Sequence, residues 1–107
     1  MAWAMLMLAI ASEVTGTLAL KASDGFSRLW PSIIVVCGYG VAFFMLSLTL
    51  KTLGLGPSYA TWAGLGTVGA ALGAWLIFGE RMGPLAIGGM AIVIAGIIVM
   101  HLGGTPE

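Results

Sequence analysis

Four uninterrupted apolar runs divide the chain: Trp3–Leu20, Ser32–Leu50, Ser58–Gly79 and Leu85–Gly103. Each is close to the ~20 residues that an α-helix, rising ~1.5 Å per residue, needs to cross ~30 Å of hydrocarbon. The polar positions collect between them, in Lys21–Pro31, Lys51–Pro57 and Glu80–Pro84, which hold three of the four prolines and all but two of the charged residues. An outer-membrane barrel would instead show ~10-residue segments of alternating polarity separated by turns. The pattern predicts an all-α membrane protein with four transmembrane helices per chain, helices near 3–20, 32–50, 58–79 and 85–103, within one integral membrane domain over residues 1–107.

Composition removes the soluble alternatives. Apolar residues make up 60% of the chain and charged residues 7%, against about 25% charged in an ordinary globular protein, so a water-facing surface cannot be assembled. A net charge of zero gives no electrostatic footprint for nucleic acid. Cys37 is the single cysteine and His101 the single histidine, so neither an internal disulfide nor a metal site at ligand spacing is expected, and no cofactor is called for. Ala9-Ile10-Ala11 imitates a signal-peptide cleavage site, but no Lys or Arg precedes Lys21 and the apolar run continues to Leu20. The first run therefore reads as a span. Trp3, Trp30 and Trp75 lie near predicted helix ends, where an indole ring favours the headgroup region. Basic loop residues are Lys21, Arg28 and Arg81 on one side and Lys51 on the other. So small a bias permits insertion in both orientations, and with it an antiparallel dimer.

Glu13 is the only Asp, Glu, Lys or Arg inside any of the four runs. It lies ten residues after Trp3 and seven before Leu20, about 15 Å and 10 Å along a helix, which places it near the bilayer midplane. An ionised carboxylate against lipid costs at least ~3 kcal/mol. It must face the bundle interior and either take a proton or meet a cation, and no other run supplies a Lys or Arg. A buried acid that only bridges helices is the bland alternative. On the same face Ala9, Ile10, Gly16 and Thr17 are mostly small and predict open volume beside the carboxylate. Tyr39, Phe43 and Leu46 form a helical stripe on the second run with Ala42 alongside, and Tyr59 and Trp62 share a face on the third that continues through Gly66. Aromatic stripes at helical spacing are more often plain packing. One acid together with electron-rich ring faces is, however, the chemistry that holds an organic cation, with cation–π contacts of up to ~2 kcal/mol when desolvated. The hydroxyls of Tyr39 and Tyr59 are candidates to hydrogen-bond the carboxylate. Gly64-Leu65-Gly66 offers a hinge, and Gly89 and Gly96, two turns apart, open one face of the fourth run to close approach by another helix, either from the same chain or from a second copy. Four thin helices with one acid hardly surround a ligand of ~300 Å³ or more, so a two-subunit site is expected.

These residues resemble the small multidrug resistance family of bacterial four-helix exporters over essentially the full length. The resemblance is carried by Glu13-Val14 followed by Gly16-Thr17, by Leu20-Lys21, by Gly25-Phe26-Ser27-Arg28-Leu29-Trp30-Pro31-Ser32, by Tyr59-Ala60-Thr61-Trp62-Ala63-Gly64-Leu65-Gly66, and by the Gly89/Gly96 pair. It implies a multi-pass antiparallel homodimer in the inner membrane, with Glu13 of both subunits at a shared site that couples proton import to export of organic cations. It further implies that Tyr59 and Trp62 line the site, that Gly64-Leu65-Gly66 is the kink, and that the fourth span dimerises. Gly16 and Ala42 resemble the branch that exports quaternary ammonium and polyaromatic lipophilic cations. Met1-Ala2-Trp3 and the run from Gly64 to Ala70 look more like the guanidinium-exporting branch. On the residues alone, a membrane proton-carrying subunit or an assembly protein is the competing class.

Overall fold

The computed structural model describes residues 2–103 as four helices: α1 Ala2–Ala22, α2 Leu29–Thr49, α3 Leu55–Phe78 and α4 Pro84–Gly103. All four are long and apolar enough to cross a membrane, and no strand occurs among the described residues. The chain forms two compact units, one containing α1 and α2 up to Thr52 and the other containing α3 and α4 from Leu53.

α2, α3 and α4 begin earlier than their apolar runs, and proline is the reason. Pro31 and Pro57 lie in the first turns of α2 and α3, and Pro84 is the first residue of α4. A first-turn N–H has no intrahelical acceptor, so proline's missing donor costs nothing there. Each proline therefore opens a helix instead of ending a connector. α3 stops at Gly79, whose φ of 70° is a left-handed cap that glycine adopts without a Cβ penalty. Its N–H returns to the Trp75 carbonyl.

In the first unit the two helices approach to near backbone contact. A Cβ added at Gly38 of α2 would lie 3.0 Å from the Ser12 carbonyl oxygen and 3.2 Å from the Gly16 backbone on α1. Lipid provides no hydrophobic drive for helix association, so dispersion contact between small residues must supply it. Leu6, Ala9 and Ile10 on α1 are buried, as are Val35, Ala42 and Leu46 on α2, each set recurring at helical spacing along one face. Ser23 organises the connector between them. Its hydroxyl donates to the Leu20 carbonyl at 2.7 Å and accepts from the Phe26 N–H at 3.0 Å, while its own carbonyl accepts from the N–H groups of Ser27 and Arg28. These bonds hold Asp24, Gly25 and Phe26 in three consecutive left-handed conformations.

The second unit is held mainly near one end. Gly64 of α3 receives Ile97 and Val93 of α4, and a Cβ at position 64 would collide with the Ile97 side chain. Toward the other end a groove of about 640 Å³, lined by Leu72, Trp75, Met82, Ile87 and Met90 with Arg81 beside them, separates the helices. No residue of α4 is buried, so its apolar surface is left for lipid or for another protein chain.

Candidate functional site

Threonine in a helix ordinarily donates its hydroxyl proton to the carbonyl one turn back. Thr15 follows that rule, bonding the Ala11 carbonyl at 2.9 Å. Thr17 does not. Its hydroxyl donates to Glu13 Oε2 at 2.7 Å, and the Tyr39 hydroxyl of α2 lies 2.8 Å from the same Thr17 oxygen. A hydroxyl has one proton, and because Thr17 gives its proton to the carboxylate, Tyr39 must donate to Thr17. The result is a directed relay from Tyr39 to Thr17 to Glu13 that joins both helices of the first unit. Every member of the chain donates toward the carboxylate. Tyr39 thus acts on the carboxylate through Thr17 and not by a direct bond.

Gly16 is the positional cause of this arrangement. A Cβ there would lie 3.1 Å and 3.2 Å from two ring carbons of Tyr39, so the volume expected beside the acid is occupied by the tyrosine ring. Gly16 is itself buried. The space gained by omitting a side chain at position 16 seats the relay and is not an empty pocket. Tyr39 also meets Phe43 edge to face, with centroids 6.5 Å apart at 67°, a favoured aromatic geometry. Phe43 is 59% exposed, whereas Ala42 and Leu46 are buried and offer packing more than open lining. Glu13 and Tyr39 are part-buried.

On α3, in the second unit, the Tyr59 side chain is exposed and Trp62 is buried. One turn before Trp62, the buried Ser58 hydroxyl has no hydrogen-bond partner. Thr61 donates to the Pro57 carbonyl at 2.8 Å and lies 3.1 Å from His101 Nε2 of α4. Ser58, Thr61 and His101 carry no signal at sequence level, because their partners sit on another helix or are missing. α3 is continuous through Gly64 and Gly66, and Gly64 is accounted for by the close approach of α4. Gly89 and Gly96 face open space, since a Cβ at either would meet no atom within 4 Å. No group of three or more His, Cys, Asp or Glu side chains suited to a metal occurs among the described residues.

Comparison with known proteins shows the family. The family model described as Small Multidrug Resistance protein matches residues 1–100. The quaternary ammonium compound-resistance protein QacE of Escherichia coli is 44% identical over 100 residues, covering 94% of this chain and 91% of that protein. The corresponding protein QacF of Klebsiella aerogenes is 47% identical over 100 residues with the same coverage. The multidrug resistance protein EbrA of Bacillus licheniformis is 45% identical over 97 residues, covering 91% of this chain and 92% of that protein. With a family match across nearly the whole chain and four helices of membrane-crossing length, this multi-pass membrane protein belongs to the Small Multidrug Resistance family.

Proposed function

We propose that the chain is a proton-coupled antiporter of the bacterial inner membrane that exports quaternary ammonium and polyaromatic lipophilic cations. The observation that carries this reading is the placement of Glu13, a lone carboxylate in a membrane-spanning helix, bonded at 2.7 Å to a threonine that relays from Tyr39. The acid is reachable by a proton or a cation and by no basic side chain of its own helix, where the only cation, Lys21, lies in the last turn. The names of the relatives, which refer to quaternary ammonium compounds and to multidrug resistance, support the substrate class.

In this mechanism two copies pair antiparallel and place both Glu13 carboxylates at one site. The exposed Gly89 and Gly96 of α4 support the pairing, because small residues admit a close neighbour. Protons and cations compete for the same acids, while the ring faces of Tyr39, Phe43, Tyr59 and Trp62 hold the cation's apolar body. If only loaded forms change their facing, exchange is obligatory. Two protons inward for one monovalent cation outward move one net charge, which adds ~2.3 kcal/mol per 100 mV to the driving force.

Uptake into proteoliposomes under an imposed pH gradient tests the reading. A tetraalkylammonium and a planar aromatic cation should be transported and guanidinium should not. Guanidinium transport without the other two would assign the guanidinium activity instead, and proton flux with no cation transport would favour a proton-carrying subunit.

A further inference from the structure

We propose that Thr61 and His101 form a clasp that fixes the rotation of α3 about its own axis against α4, making His101 a positioning residue for Trp62. The transport role of the clasp rests on the cation-export reading above. Thr61 is 2% exposed, and its one hydroxyl proton goes to the Pro57 carbonyl at 2.8 Å. The Thr61 oxygen is then an acceptor toward α4, so His101 Nε2, 3.1 Å away, must carry a hydrogen. That requirement is met by the Nε2–H form of the neutral ring and equally by the imidazolium.

The position of the bond gives it leverage. Val93, Ile97 and His101 recur every four residues along α4 and meet Gly64 and Thr61 of α3. Gly64 contributes only apolar contact, which lets one helix roll on another, whereas a hydrogen bond is directional. At about 100° per residue, Ser58, Trp62 and Gly66 lie roughly 60°, 100° and 140° round from Thr61 in the sense away from Gly64, running from the edge of the α4-facing strip to the side opposite it, so any roll of α3 carries them with it. All three are buried. A side chain about 6 Å from the helix axis moves ~1 Å for each 10° of roll, enough to move an indole off the position a ring-stacked cation needs. Beyond Gly64 the helices separate around the apolar groove, so the clasp lies where α3 and α4 actually touch.

Two independent measurements test this. His101 is the only histidine, so ¹⁵N labelling of histidine in the full chain in bilayers reads its tautomer without ambiguity. In the neutral ring the hydrogen should be on Nε2, and Thr61→Val should shift the Nε2 resonance. A neutral ring protonated at Nδ1, or one unaffected by Thr61→Val, would overturn the clasp. In proteoliposomes, His101→Leu and Thr61→Val should each raise the apparent KM for ethidium about 3- to 10-fold with kcat changed less than about twofold. The double variant should be no worse than either single one, and His101→Gln, whose amide keeps an N–H at similar reach, should return KM to near the wild-type value. An unchanged KM in both single variants, additive effects, or a Gln variant as impaired as the Leu variant would overturn the positioning role. If the wild-type protein transports no organic cation, the export reading fails and the positioning role with it, while the tautomer measurement still decides the clasp.

Discussion

Thr17 donates its only hydroxyl proton to Glu13, at 2.7 Å, where its neighbour Thr15 bonds the backbone instead. The difference makes Thr17 part of the acid's chemistry. A hydrogen bond to a charged group contributes about 1.5–3 kcal/mol, so Thr17→Val should weaken cation binding roughly 10-fold or more, with Thr17→Ser close to wild type. Equilibrium binding of a lipophilic cation across a pH series checks this. Equal behaviour of the Val and Ser variants would show that the hydroxyl has no part in it.

Tyr39 feeds the same relay and should give a related phenotype. Tyr39→Phe keeps the ring on Gly16 and the edge contact with Phe43 but removes the donor to Thr17. Its effect on cation affinity should be non-additive with that of Thr17→Val, because both break one chain. Additive shifts in a double-mutant cycle would mean that the two hydroxyls act separately.

The seat under the relay makes a packing prediction. Gly38→Ala would bring a methyl within 3.0 Å of a carbonyl oxygen and 3.2 Å of backbone atoms on α1, neither of which can swing aside. Overpacking of this kind costs about 1–3 kcal/mol, and thermal unfolding in detergent should fall accordingly. Gly16→Ala meets the Tyr39 ring at 3.1 Å, with the nearest backbone atom an ordinary 3.5 Å away, and should be milder. A larger loss at Gly16 than at Gly38 would contradict the observed approach of the helices.

Much of this molecule is legible in its sequence because lipid imposes simple demands. The four helices follow from apolar runs bounded by charge, and Glu13 stands out since a carboxylate inside a span has no bland place to go. The helix starts were harder. Proline suggests a break, yet Pro31, Pro57 and Pro84 all sit in first turns where the missing N–H is harmless. Gly16 was legible as small but not in its purpose, because what fills the gap, the Tyr39 ring, is 23 positions away and depends on the register of α1 on α2. The Thr61–His101 bond crosses 40 positions and follows no local rule.

Ser58 makes a further prediction. Its buried hydroxyl has no hydrogen-bond partner, and an orphaned polar group costs about 1–3 kcal/mol. Ser58→Ala should therefore hold or raise thermal stability and leave cation uptake unchanged. A marked loss of stability would show that the hydroxyl is satisfied in the membrane.

Gly89 and Gly96 of α4 are exposed, and a Cβ added at either meets no atom within 4 Å. Gly96→Phe should accordingly leave the helical content of the protein intact while reducing the dimer fraction in detergent. An unchanged oligomer size would refute the proposed pairing through α4.

The competition of proton and cation for one carboxylate is measured most directly by calorimetric titration of a lipophilic cation in buffers of different ionisation enthalpy, which counts the protons released on binding. The wild-type protein should release protons, with affinity strengthening as pH rises, and Glu13→Gln should release none and bind without pH dependence. Proton release that persists undiminished in Glu13→Gln would place the coupling elsewhere and contradict the mechanism.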